Sequence, residues 1–135
     1  MFKTITRIKF SDCDPAGILF FGRVYELCHA AYEEMIKSFH LEEDYWSNDN
    51  FIVPIIKSEA HYHQPMKYGE EISIEISVKT LKSSSFELEY LLKNRDEVEC
   101  VLVNTVHVFV DKRTWKKKAM KKEISNGFER FLGAN

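Results

Sequence analysis

One stretch of this chain carries a long helical periodicity, and strand-type patterns lie on either side of it. Val24, Leu27, Cys28, Ala31, Met35 and Phe39 recur at three- and four-residue steps, with Arg23, Glu26, Glu33 and Lys37 on the other side. That spacing predicts an amphipathic helix from about Gly22 to Phe39. Before it, Phe2, Thr4, Thr6, Ile8 and Phe10 alternate with Lys3, Arg7 and Lys9, the period of a strand with one buried face. Four more strand patterns follow it. One long helix with consecutive strands after it falls outside the βα alternation of parallel sheets, so the chain reads as α+β, an antiparallel sheet of about five strands against one helix.

The later strands differ in how much they bury. A strand from Phe51 or Ile52 to about His63 is interrupted by Pro54, which has no amide hydrogen and marks an edge or a bulge. Gln64, Pro65 and Gly69 mark a turn. Ile72, Ile74, Ile76 and Val78 alternate with Glu71, Ser73, Glu75 and Ser77. Beyond Lys82, Ser83 and Ser84, Phe86, Leu88, Tyr90 and Leu92 alternate with Glu87 and Glu89, so two strands form a hairpin. From Val98 to Val110 both faces are apolar apart from Asn104 and His107, which predicts a central strand. Leu41 to Asn50 is polar without periodicity and reads as a loop over the substrate entrance. Ile124, Phe128, Phe131 and Leu132 predict a short closing helix, with Asn126 and Glu129 spaced as a capping box.

At 135 residues and 15.9 kDa the chain fits a single domain, 1–135, large enough to bury its own core. A net charge of -2 gives no support to nucleic-acid binding. Three cysteines, Cys13, Cys28 and Cys100, have neither disulfide pairing nor metal spacing, and fit free thiols in a reducing cytoplasm. No run approaches the roughly 20 apolar residues of a membrane span.

The stretch most informative about chemistry is Phe10 to Tyr25, where Asp12, Asp14, Pro15 and Gly17 precede the helix. Helix N-termini offer unpaired amides and partial positive charge, so a carboxylate nearby can work on a polarised carbonyl. The Asp-x-Asp-x-x-Gly pattern of Asp12, Asp14 and Gly17, within the run Asp-Cys-Asp-Pro-Ala-Gly-Ile, resembles the signature of the hotdog-fold acyl-CoA thioesterases of the 4-hydroxybenzoyl-CoA thioesterase branch. The run from Leu27 to Glu33, with Phe51 and Pro54, is most similar to the 1,4-dihydroxy-2-naphthoyl-CoA hydrolases within that branch. The resemblance implies a hotdog fold, a curved sheet wrapped around one helix, in a homodimer or homotetramer whose sheets join edge to edge. It implies hydrolysis of an acyl-CoA, aromatic rather than fatty, with coenzyme A as part of the substrate and no separate cofactor or metal.

Residue by residue, Asp14 is the expected catalytic carboxylate. It is ionised at neutral pH and can attack the thioester or deprotonate a water; the sequence leaves both open. By position in the resembled motif, the Phe21 amide is the expected oxyanion donor. Gly17 permits a positive φ or close approach of the thioester, Tyr25 lines the acyl pocket or packs under the sheet, and Asp12 supports the loop. His29 with Glu33 reads as a helix pair, and His61 with His63 as pocket or surface histidines lacking a third metal ligand. Lys82, Ser83 and Ser84, with Lys79 and Ser85, sit where the branch places groups that hold coenzyme A phosphates, and Lys116 to Lys122 is a second basic stretch able to attract phosphate or an acidic carrier. Rival readings are a broad short-chain acyl-CoA thioesterase working beside envelope or acyl carrier proteins, a non-catalytic acyl-CoA-binding module, and a dehydratase.

Overall fold

A computed structural model describes residues 1–133. Its main sheet is antiparallel and five-stranded, built from β1 (Phe2–Arg7), β3 (Ile55–Tyr62), β4 (Glu71–Leu81), β5 (Ser85–Lys93) and β6 (Glu99–Val108), in the order β1-β4-β5-β6-β3. A two-residue strand, β2 (Phe51–Ile52), pairs with β7 (Val110–Asp111) apart from it. The helix α1 (Arg23–Lys37) follows β1, and α2 (Lys122–Glu129) closes the chain.

Register puts one apolar face of every strand against α1. Ile74 opposes Leu92, Leu92 opposes Val101, and Val101 opposes Tyr62; one step along, Ile76, Tyr90, Val103 and Ala60 form the next row. Val24, Cys28, Ala31, Tyr32, Met35 and Ile36 of α1 are buried over these rows. At about 25 cal/mol per Å² of apolar area removed from water, this two-layer burial is the main source of stability. At the far end of the sheet the core turns aromatic, with Phe86 stacked on Phe128 at 4.2 Å between ring centroids and on the His107 ring at 4.5 Å.

Several boundaries differ from the expectation. The first strand ends at Arg7, because Phe10–Asp12 closes a 3-10 turn, with Cys13 N–H donating to the Phe10 carbonyl at 3.1 Å. Pro54 splits the second strand into β2 and β3, which join different sheets, and a register shift follows between Ile55 and Lys57. The expected central strand breaks at Phe109 into β6 and β7, and β6 lies one place in from the edge; β5 is central. The 41–50 segment is a loop, but its Tyr45 is buried and bonded to the Tyr32 hydroxyl at 2.5 Å, so it packs on α1. The closing helix starts at Lys122, with Lys121 as its N-cap, which leaves Asn126 inside the helix and no capping box there. Gly127 sits mid-helix because a Cβ there would run into the Phe39 ring.

Candidate active site

The loop between β1 and α1 is held by its own backbone. Asp12 Oδ2 accepts the Lys9 amide at 3.0 Å and its carbonyl accepts the Phe20 amide at 2.9 Å, so Asp12 is the loop's support; Arg7 and Arg23 pair instead with Glu71 and Glu26. Asp14 N–H donates to Ile18 O, and Gly17 N–H to Asp14 O, both at 2.9 Å, closing a tight turn at Pro15 and Ala16. Gly17 has φ +79° with open space where a Cβ would stand, so the positive φ alone accounts for glycine there. One Asp14 carboxylate oxygen, Oδ1, accepts the Ala16 amide at 2.9 Å, which orients the group through its own turn.

Asp14 opens onto a cavity of about 340 Å³ that it shares with Ile18, Leu19, Phe21, Tyr62, His63 and Met66. Asp14 and Phe21, seven positions apart in the sequence, therefore meet in one place. The Phe20 and Phe21 carbonyls accept the Arg23 and Val24 amides at 2.9 and 3.4 Å, the first bonds of α1. With those carbonyls pointing along the helix, the Phe21 and Gly22 amides point back out of its N-terminus and find no acceptor among the described residues. The geometry thus combines a carboxylate with free donors at a helix start.

Other expected site residues lie elsewhere. Tyr25 lines a second cavity of about 210 Å³, with Cys28, His29, Ile55, Ser58, Tyr90 and Thr105. His29 Nδ1 is 2.7 Å from Glu33 Oε2, the expected helix pair, while its ring also borders that cavity and packs against Trp46 at 5.5 Å. Lys82, Ser83 and Ser84 form the β4–β5 hairpin tip, closed by Lys82 N–H on Ser85 O at 2.8 Å. They sit beyond the Ser85 end of β5, whereas the Asp14 cavity lies at its Leu92 end, roughly 23 Å away at the rise of a strand. Within one chain the hairpin and Asp14 are therefore not brought together. The tip instead joins the other basic stretch: the Ser84 and Ser83 carbonyls accept the Phe109 and Met120 amides at 2.7 and 2.9 Å. The 41–50 loop contributes nothing to the wall of the Asp14 cavity.

Of that wall, Tyr62 carried no distinctive signal in the sequence, while His63 was one of two candidate pocket or surface histidines. Tyr62 ends β3, and its hydroxyl donates to the Phe21 carbonyl at 2.7 Å; burial, then Tyr25 and Cys28, raise its pKa and keep it protonated. His63 lies just past β3 in the Asp14 cavity, while His61 is on the outer face, opposite Leu102. The two histidines would share a face if the strand ran through both, but β3 ends at Tyr62, so His63 leaves the strand and joins the Tyr62 cavity while His61 does not. Among the described residues no group of three or more His, Cys, Asp or Glu is placed to hold a metal ion. Cys13, Cys28 and Cys100 are free thiols, the latter two buried.

A sheet laid against one helix, with a carboxylate and unpaired amides at the start of that helix, defines a hotdog-type thioesterase. The chain belongs to the thioesterase-like superfamily, which it matches over residues 8–128. A 1,4-dihydroxy-2-naphthoyl-CoA hydrolase of Trichodesmium erythraeum is 30% identical over 120 residues, covering 87% of each chain. The fold is shared with a 1,4-dihydroxy-2-naphthoyl-CoA thioesterase from Synechocystis (TM-score 0.88, 20% identity, 94% of each chain). It is shared also with a gentisyl-coenzyme A thioesterase (TM-score 0.81, 19% identity, 93% of this chain and 98% of the other).

Proposed function

We propose that this protein hydrolyses an aromatic acyl-CoA to the free acid and coenzyme A. The observation that carries the reading is the shared cavity of Asp14 and Phe21, with the Phe21 amide unpaired. The relatives' own substrates, dihydroxynaphthoyl-CoA and gentisyl-CoA, favour an aromatic acyl group. The thioester oxygen lies against the Phe21 amide, and charge that develops on it is stabilised there, a contribution of roughly 10²- to 10³-fold per donor. Asp14 either takes a proton from an attacking water, or attacks the carbonyl carbon itself to form a mixed anhydride that water then hydrolyses to the free acid. In both routes the C–S bond breaks and coenzyme A leaves as the thiolate, which takes up the proton held by Asp14 in the first route and one from water in the second. No metal or further cofactor is needed for these steps, since a thioester carbonyl is already activated.

The reading includes a homodimer. β3 is an edge strand of eight residues with Ile55 and Ile56 exposed, a row of unpaired backbone groups that a second copy can cover. Two-fold antiparallel pairing of β3 with itself sets the Tyr62 end of one copy beside the Ile55 end of the other. The Ile55 end is also the Lys82 end of the sheet, because Ile55 opposes His107 and His107 opposes Phe86. The partner's hairpin then approaches Asp14, where Lys82 and the serines hold coenzyme A phosphates. Free thiols favour a cytoplasmic location.

Thiol release measured across benzoyl-, hydroxybenzoyl-, dihydroxynaphthoyl-, short-chain and long-chain acyl-CoA tests the reading. Fastest turnover of the aromatic thioesters is expected. Preference for short chains would transfer the protein to the broad-range class, and no turnover of any would make it a binding module. Light scattering is expected to give at least a dimer; only a 15.9 kDa species at micromolar concentration would remove the paired edge.

A further inference from the structure

The second cavity, which Tyr25 and Ser58 border, lies along the same face of β3 as the first. Ser58 and Tyr62 stand on the same face of β3, opposite Thr105 and Val101, about 13 Å apart at the rise of a strand. Tyr62 belongs to the Asp14 cavity and Ser58 to the second. A group leading away from a thioester at Asp14 along the inner face of the sheet arrives among Tyr90, Thr105 and Ser58.

The wall it meets there holds a chain of three polar groups, all buried. Thr105 Oγ1 donates to Tyr90 Oη at 3.2 Å and lies 2.7 Å from His107 Nε2. With Thr105 donating to Tyr90, the 2.7 Å contact is made by the His107 tautomer that carries its proton on Nε2, and Nδ1 is then a bare acceptor. That atom is the one buried side-chain nitrogen or oxygen among the described residues without a partner. An unpaired lone pair in the core, rather than an unpaired N–H, is the consequence of directing every proton of the chain one way. The direction ends at Tyr90: its oxygen accepts from Thr105, and its own proton finds no acceptor among the described residues. Burial keeps both ends of the chain neutral, since it raises the Tyr90 pKa and lowers that of His107. A core that needed only packing at these positions would carry Phe, Val and Leu.

We propose that this cavity receives the acyl group and that the His107–Thr105–Tyr90 chain presents one oriented O–H donor to an oxygen substituent on an aromatic ring. The ligand class is an oxygen-bearing aryl group, a phenol or ring ketone, set apart from plain benzoyl by that single acceptor; the Ser58 hydroxyl and His29 ring border the same space for a phenolic proton. The inference rests on the thioesterase reading above. A site built to donate one buried hydrogen bond discriminates through the group left unpaired when the acceptor is missing.

The test is the ratio of kcat/KM for ring-hydroxylated aroyl-CoAs, the three hydroxybenzoyl isomers and a dihydroxynaphthoyl thioester, to that for benzoyl-CoA. It is measured in wild type, Thr105→Val and Tyr90→Phe, with Tm recorded for each. Wild type should favour at least one hydroxylated substrate. Thr105→Val keeps the shape and breaks the chain, and Tyr90→Phe keeps the ring and removes the donor; each should lower that ratio about tenfold. A ratio unchanged in the folded variants, or a wild type indifferent to the hydroxyl, overturns the donor while leaving hydrolysis in place. A wild type that cleaves no CoA thioester would instead overturn the reading beneath it.

Discussion

The Tyr62 hydroxyl donates to the Phe21 carbonyl at 2.7 Å, so the last residue of β3 holds the peptide from which α1 starts. The bond orients the turn that presents the Phe21 amide to the Asp14 cavity. Tyr62→Phe should therefore lower kcat about tenfold, the worth of one hydrogen bond, while KM changes less and Tm stays within a few degrees. A variant with unaltered kcat would mean that the helix start holds its position without Tyr62.

His107 makes folding stability depend on pH. Burial first, and His29 second, hold its imidazole at a pKa of about 3 against an ordinary 6.5. An unfolded chain takes up a proton below pH 6.5 that the folded chain refuses, so this contribution is complete above 6.5 and is lost as pH falls toward 3. The slope is on the order of 1 kcal/mol per pH unit. Other titrating groups pack nearby: His29 with Glu33, and Tyr32, whose ring centroid is 4.8 Å from that of His107. Urea unfolding at pH 7.5 and 5.5 should show a steeper loss in wild type than in His107→Gln; equal losses would contradict the assignment.

If the partner's hairpin holds coenzyme A, Lys82→Glu should raise KM several-fold for any CoA thioester and change kcat less, because a phosphate contact is made equally in ground and transition states. Added salt should shrink the effect, since Lys82 is exposed. An unchanged KM at low ionic strength would place the nucleotide elsewhere.

The periods of the sequence revealed the elements well and their grouping poorly. Alternation from Ile72 to Val78 and from Phe86 to Leu92 gave both strands of the hairpin, because each presents one apolar face. Between Val98 and Val110 both faces are apolar, which conceals the break at Phe109 and the strand's place in the sheet; those depend on partners distant in sequence. Asp14, Gly17 and Phe21 could be proposed from the sequence because they lie within one short stretch, a turn and the helix start that follows it. Tyr62 and the Tyr90–Thr105–His107 chain were not, since a polar residue within a strand shows its role only when cross-strand register supplies a partner. Lys82 and Asp14 were read as parts of one site, yet a single chain holds them at opposite ends of the sheet.

Turnover by Asp14→Asn isolates the part the carboxylate plays, because the substitution keeps the shape of the side chain and removes the oxygen that attacks or accepts a proton. The purified variant should fold with the oligomeric state of wild type and bind the aroyl-CoA with similar affinity, with kcat reduced on the order of 10²-fold or more. A variant that hydrolyses aromatic CoA thioesters at close to the wild-type rate would remove Asp14 from the chemistry.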